Sequence, residues 1–234
     1  MANYGVIDLG SNSVRLVIFD VKDGISQKRP ITCKDFRSII NDKVMAGLSA
    51  YVDAGEFTPE GIARAVDVLS GHLKRARYFN CVRTDIFATA VLRNCTNSRE
   101  AISAIEKAIG SPVNLLSARD EAHLSFTGAS CDRTIEKGTV VDLGGGSTEL
   151  IRVEGGCDFD DVSIGQGSLS SYAGYVEFVM PQASEVEAIE RAFLERVAET
   201  PVDLQKYRVE TLFGVGGSAR AAAKLYAQMN GEPC

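Results

Sequence analysis

Gly5-Val-Ile-Asp8-Leu-Gly10-Ser11-Asn12-Ser13, near the start of the chain, returns in the same register as Thr139-Val-Val-Asp142-Leu-Gly144-Gly145-Gly146-Ser147. In both copies an apolar run ends in Asp, a tight turn of small residues follows, and a second apolar run leaves it (Val14 to Val21; Thr148 to Val153). That is the pattern of a β-hairpin. One hairpin with a Gly and Ser turn is ordinary scaffolding. Two with matching flanks at domain-sized spacing imply two similar half-molecules. A small-residue turn leaves backbone N–H groups uncovered, so they can converge on an anion as a nest, and the hydroxyls of Ser11, Ser13 and Ser147 add donors. The Asp at the end of the preceding strand can hold a hydrated divalent cation beside that anion. Phosphate with Mg2+, gripped between two domains, is the chemistry these residues suggest.

Composition allows this architecture. The 234 residues suit one large or two smaller domains, and 45% apolar content is enough for real cores. A formal charge of -6 gives no support to non-specific nucleic-acid binding, which needs a basic surface. The six cysteines include no Cys-x-x-Cys and no nearby His pair, so neither a zinc site nor a disulfide framework is indicated; reduced, mostly buried thiols are expected. The N-terminus enters a strand without a basic start and apolar core, and no apolar run approaches the roughly 18 residues of a membrane span. A cytoplasmic protein is expected, with no membrane partner.

Periodicity places strands near 4–10, 13–21 and 24–34, then a helix from Thr58 to Tyr78. Thr58-Pro59-Glu60 supplies its cap, and Ile62, Ala65, Val66, Leu69 and Leu73 its buried stripe. A strand at 82–88, a helix from Ser98 to Ile109 closed by Gly110, and a strand at 113–116 follow. A helix from Ala118 to Gly128 links the halves. The second stretch reads as strands at 138–143, 148–153 and 157–164, then a helix at 184–199 with Val186, Ile189, Ala192, Phe193 and Val197 inward. A strand at 209–214 and a helix at 218–229 complete it. Three strands followed by helix-strand repeats predict an α/β protein with mixed sheets covered by helices.

Gly214-Val-Gly216-Gly217-Ser218-Ala219 imitates a dinucleotide fingerprint. The acidic residue and following strand that the fingerprint needs are missing, so an anion-binding helix start is the better reading. No G-x-x-x-x-G-K-[ST] is present, which excludes a P-loop enzyme. His72 and His123 lack matching partners in sequence and read as solvated or capping residues.

Asp8-Leu-Gly-Ser-Asn-Ser13, Ala88-Thr-Ala-Val-Leu-Arg93 with Asn97, Leu116-Ser117 through Glu121-Ala122, Asp142 through Glu149, and Gly214 through Ser218 occur in the order and spacing of the exopolyphosphatase and guanosine pentaphosphate phosphohydrolase family, Ppx/GppA. The chain resembles that family over nearly its whole length. The resemblance implies an actin-like ATPase (ASKHA) fold, two RNase H-like domains with an interdomain cleft, at 1–124 and 125–234. It also implies Mg2+-dependent removal of terminal phosphate from polyphosphate or from pppGpp. Carried over residue by residue, Glu121 becomes the general base, and Asp142 and Glu149 hold Mg2+ and assist catalysis, with Asp8 a further metal ligand. Ser11, Asn12 and Ser13 form one phosphate cradle; Gly144, Gly145, Gly146 and Ser147 form the other. Arg93 grips a phosphate oxygen pair, and Gly217 and Ser218 add donors. This sequence departs from the family pattern at Ser117-Ala-Arg-Asp120, at Val44-Met-Ala-Gly47, and at Arg15, where His is common. Family members continue past the Gly217-Ser218 helix. A truncated second domain is therefore expected, with a sheet edge open to a strand from a second copy in a homodimer.

A carboxylate 4 Å from a phosphate charge costs about 1 kcal/mol in water and about 4 kcal/mol at an effective dielectric of 20. Asp8, Glu121, Asp142 and Glu149 together would repel a polyanion unless a divalent metal reversed the sign. Three functions fit the residues: a phosphoanhydride hydrolase, a non-catalytic alarmone or polyphosphate sensor, and a small-metabolite kinase. The kinase also needs adenosine and acceptor sites.

Overall fold

β1 (Ala2–Leu9) and β2 (Ser13–Val21) pair antiparallel in unbroken register, from Ala2 opposite Val21 to Leu9 opposite Val14. Alternation sends Val14, Leu16 and Ile18 to one face, where each is fully buried. The computed structural model describes residues 2–22, 32–131 and 133–232. β3 (Phe36–Met45) pairs antiparallel with β2. It lies later in the chain than the strand expected at 24–34, of which residues 24–31 fall outside the described residues. A 3-10 turn (Leu48–Tyr51) and the small hairpin of β4 (Val52–Asp53) and β5 (Glu56–Phe57) lead into α1 (Pro59–Tyr78). The Thr58 hydroxyl accepts from the Gly61 amide at 3.2 Å, the expected N-cap. α1 buries Ala65, Val68, Leu69 and Leu73 against the sheet.

β6 (Cys81–Ala88) then runs parallel to β1 on its free side. α2 (Ala90–Arg93) and α3 (Ser98–Ile109) follow, α3 closed by Gly110 in the left-handed conformation. β7 (Asn114–Leu115) lies parallel to β6, giving the order β3-β2-β1-β6-β7. His72 is not a solvated residue: it is 1% exposed, its Nε2 lies 3.3 Å from the Val14 carbonyl oxygen, and its Nδ1 lies 3.3 Å from Asp42. Burial lowers its pKa and outweighs the opposing Val14 hydrogen bond.

The chain divides into units Met1–Ser117 and Ala118–Cys234. The division falls ahead of the boundary expected at 124, so α4 (Ala118–Ser130), expected to link the halves, belongs wholly to the second unit. There α4 packs on a meander of β8 (Lys137–Leu143), β9 (Thr148–Glu154) and β10 (Cys157–Ile164). α5 (Ser168–Tyr175), α6 (Ala183–Glu199) and a 3-10 turn (Leu204–Tyr207) precede β11 (Leu212–Val215), which lies parallel to β8; α7 (Gly216–Asn230) follows. The order β10-β9-β8-β11 repeats β3-β2-β1-β6 of the first unit. In both, a meander is extended by a parallel strand beside its first strand.

The second core is the smaller, built on Ala122, Phe126, Ile135, Val140, Ile151 and Val153. The α6 stripe expected to point inward is only half-covered, and Val186 stays 49% exposed. A cavity of about 390 Å3 lined by Leu143, Val186, Ile189 and Phe193 separates this face from the sheet. Among the described cysteines only Cys95 is buried and Cys157 is exposed, against the expectation of mostly buried thiols. Among the described residues no helix is long and apolar enough to cross a membrane.

Candidate active site

The second hairpin turn is closed by the Gly144 amide donating to the Ser147 carbonyl at 3.0 Å. A side chain at Gly144 would bring its Cβ to 3.1 Å from that oxygen, a contact the turn could accept only by shifting slightly. Its carbonyls point rearward. Gly144 O accepts from the Ser168 amide at 3.0 Å, and Gly145 O accepts from the amides of Leu169 at 2.8 Å and Ser170 at 3.0 Å. The Ser168 hydroxyl also donates to Gly144 O at 3.0 Å. Among the described residues, the amides of Gly145 and Gly146 take no backbone carbonyl outside the strand pairing. The turn is thus held on a fixed frame by the start of α5.

Directly behind it, strand register sets Asp142 opposite Glu149. Glu149 is 3% exposed and is held by the hydroxyls of Ser163, at 2.9 Å to Oε1, and Ser147. Burial raises its pKa, and the charges of Glu121 and Asp142 push the same way, against the two hydroxyls. Asp142 Oδ2 accepts from the Ser125 hydroxyl at 2.5 Å. Glu121 lies in the first turn of α4, and four-residue spacing puts it on the same face as Ser125. Three carboxylates thus share one environment in the second unit. β11 brings the start of α7 to the same place, because Val215 pairs with Asp142. Gly216 (φ 94°) is required there: a Cβ would lie 3.0 Å from Leu143 O and 3.2 Å from Asp142 Oδ1. No side chain caps α7, so the first-turn amides at Gly216, Gly217 and Ser218 are available to an anion.

The first unit closes its turn in the same way, with the braced carbonyls one residue later. Gly10 donates to Ser13 O at 3.2 Å, and the rearward carbonyls are again taken up. Ser11 O accepts from the Ser49 amide at 2.9 Å, and Asn12 O accepts from the amides of Ala46 at 2.9 Å and Gly47 at 2.8 Å. Asp8 occupies the position equivalent to Asp142, with Arg15 opposite it. Arg93 ends α2 and donates from one guanidinium nitrogen to Leu116 O at 3.1 Å, bracing α2 against the strand end. Asn97 pairs with the backbone of Phe57 through both amide atoms, at 2.9 Å each, a structural role.

Among the described residues no group of three or more His, Cys, Asp or Glu side chains is arranged to hold a metal ion. Mg2+ needs no such cage, since it keeps several waters and takes one or two carboxylates together with substrate phosphates. Asp142 and Glu149, two buried or half-buried carboxylates opposite each other beside the 144–147 turn, fit that donor set. The missing side chain of Gly216 leaves space in front of Asp142 Oδ1. Reading the sequence missed Ser125, Ser163 and Gly167. Ser125 had a signal, its spacing from Glu121. Ser163 faces Glu149 only through the β9–β10 register. His123, expected to be solvated or capping, is exposed and there pairs with Asp158 at 2.8 Å, a partner the sequence did not show.

Two meanders of matching order, each with Asp one residue before the end of its first strand and a small-residue turn after it, define an actin-like ATPase fold built from RNase H-like units. The sequence profile of the Ppx/GppA phosphatase family matches residues 7–233, and the chain belongs to that family. It is 31% identical over 160 residues to Exopolyphosphatase 2 of Mycobacterium tuberculosis, covering 64% of this chain and 48% of that one. It is 32% identical over 153 residues to guanosine-5'-triphosphate,3'-diphosphate pyrophosphatase of Vibrio cholerae, covering 65% and 29%. The chain therefore spans about half the length of the first relative and less than a third of the second. A crystal structure of an exopolyphosphatase from Cytophaga hutchinsonii matches with a TM-score of 0.82 at 22% identity, covering 99% of this chain and 72% of that one; this likeness is one of fold.

Proposed function

We propose that this protein is a Mg2+-dependent phosphoanhydride hydrolase that releases terminal phosphate from inorganic polyphosphate, converts pppGpp to ppGpp, or does both, in the cytoplasm. The observation that carries the reading is the carboxylate group of Glu121, Asp142 and Glu149 set beside a turn whose carbonyls are turned away from its free amides. A negative substrate is drawn to the amides and repelled by the acids, which is the setting that calls for a divalent cation. The names of the two relatives support the substrate classes.

In this reading the amides of Gly145 and Gly146, with the Ser147 hydroxyl, hold the terminal phosphate. Gly217 and Ser218 at the start of α7 add donors. Asp142 and Glu149 hold the Mg2+, which when bound supplies charge neutralisation. Glu121 orients a water and takes its proton as the water oxygen bonds to phosphorus and the bridging P–O bond breaks. The departing oxygen leaves with the shortened chain or nucleotide. By its likeness, the turn at Ser11, Asn12 and Ser13 is a second phosphate-binding turn, with Asp8 and Arg93 in supporting roles.

The test is phosphate release from polyphosphate of defined length and from pppGpp, with Mg2+ and with EDTA. Glu121→Gln should retain folding and substrate binding and lose turnover by roughly a hundredfold or more. Full activity in that variant would remove Glu121 from the role of base. Binding of both substrates without release by the wild type would leave a sensor.

A further inference from the structure

We propose that the backbone amides following the third strand of each meander are positioning groups for the phosphate turns, and that Gly167 is the residue on which the second turn depends. This rests on the phosphate-binding reading above. The observation is a repeat beyond the one visible in the sequence. In the first unit the amides of Ala46, Gly47 and Ser49 bond the rearward carbonyls of Ser11 and Asn12; in the second those of Ser168, Leu169 and Ser170 bond the carbonyls of Gly144 and Gly145, so the contact common to both is Ser49 N to Ser11 O and Ser170 N to Gly145 O. The residues that do this share only a Leu-Ser pair. Beyond it, Ala46-Gly-Leu-Ser49 and Ser168-Leu-Ser170 have in common their place after the third strand and the donation of their amides to the turn.

The physical consequence follows from the planarity of the peptide. A carbonyl fixed rearward fixes the amide of the same peptide plane forward. Holding Gly144 O and Gly145 O to the start of α5 therefore fixes the directions of the amides of Gly145 and Gly146 before any ligand arrives. Gly-rich turns lose much backbone freedom on ordering, so this preorganisation bears directly on anion affinity.

Gly167 is where the two segments meet. A Cβ there would lie 2.7 Å from Gly144 O, 2.7 Å from Gly145 C and 2.7 Å from Gly145 O, all backbone atoms that cannot swing aside. The neighbouring Gln166, 3% exposed, locks the same joint to the rest of the unit. Its Nε2 donates to Ser171 Oγ at 3.1 Å and to Ile189 O at 3.3 Å, and its Oε1 accepts from Arg196 Nε at 3.1 Å. Its own carbonyl accepts from Thr148 Oγ1 at 2.7 Å, one residue past the phosphate turn. The joint is thus fixed from α5, α6 and β9 at once, and the extra atom of alanine at Gly167 must displace the turn.

The test uses inorganic phosphate as probe, followed through the 15N–1H shifts of Gly145 and Gly146, alongside kcat and KM on polyphosphate. Gly167→Ala should keep its circular dichroism, lose most of the phosphate-induced shift of these two amides, and raise KM by roughly tenfold or more, with a smaller change in kcat. Ser168→Ala removes only the hydroxyl donor to Gly144 O and should raise KM by roughly two- to fivefold. It keeps the proposal falsifiable if Gly167→Ala fails to fold. Wild type that neither binds phosphate nor releases it overturns the functional reading and the role of the joint with it. A working wild type whose variants both match it in phosphate shifts and KM overturns the joint alone.

Discussion

Glu149→Gln should make the metal-free protein more stable while disabling it. Register places Glu149 directly opposite Asp142, and Glu149 is 3% exposed. Like charges opposite each other on adjacent strands destabilise by about 0.2–1 kcal/mol, and burial puts this pair at the upper end, about 1 kcal/mol. Gln keeps an oxygen for the Ser163 and Ser147 hydroxyls, so little is lost in exchange. For a chain of this size the gain corresponds to a Tm rise of roughly 2–4 °C in EDTA at pH 7.5. The sign changes with conditions in a defined way. The folded state holds the Glu149 proton more tightly than the unfolded chain, because burial and the neighbouring acids raise its pKa from 4.5. The stability Glu149 contributes is therefore fully present below about pH 4.5 and lost as pH rises through the higher folded value. Gln imitates the protonated acid at every pH, so the gap between variant and wild type should close toward pH 4 and open toward neutrality. A divalent ion that binds only the folded state stabilises it by about 1.4 kcal/mol at ten times its Kd, so Mg2+ should raise wild type more than the variant and narrow or reverse the gap. Differential scanning calorimetry from pH 4 to 8, with EDTA and with Mg2+, measures all of this. A variant less stable than wild type in EDTA at pH 7.5, or a gap that stays flat with pH, would refute the reasoning.

Two further outcomes are expected. Ser125→Ala removes the 2.5 Å hydrogen bond that fixes Asp142 Oδ2, and should weaken Mn2+ binding, read by electron paramagnetic resonance, by about tenfold with no change in circular dichroism; an unaltered affinity would show that Asp142 needs no such support. Gly61→Ala places a Cβ 2.7 Å from Tyr51 Cβ and 2.9 Å from Phe57 Cζ, and should lower Tm by roughly 5 °C through overpacking at the start of α1; a Tm equal to wild type would show that the 48–57 segment yields freely.

The hairpins were legible because their signal is local and doubled. Thr58-Pro59 and Gly110 likewise marked the start of α1 and the end of α3 by cap chemistry alone. β3 was misplaced because it is an edge strand whose residues Arg37, Ser38, Asn41, Asp42 and Lys43 are polar, so its hydrophobic alternation is weak. α5 was not foreseen because Ser168-Leu-Ser-Ser-Tyr-Ala-Gly-Tyr175 carries no helical stripe and buries no residue. Its start is fixed by carbonyls of a turn distant in sequence, which no local window contains. The carboxylate group followed the same rule: Asp142, Glu149 and Glu121 were found in their motifs, whereas Ser163 and Gly167 act through strand register and a backbone collision.

One cross-strand address carries opposite contents in the two units. Opposite the Asp that is last but one in the first strand stands Arg15 in one unit and Glu149 in the other. The first hairpin carries a cationic residue at this address, and the second a further acid. If Asp142 and Glu149 hold Mg2+ as proposed, that second copy of the scaffold would depend on a cation from solution where the first has one in its own sequence. A chelator should accordingly distinguish halves that the backbone does not: hydrogen exchange around Asp142 should quicken when divalent ions are withdrawn, while exchange around Asp8 stays as it was.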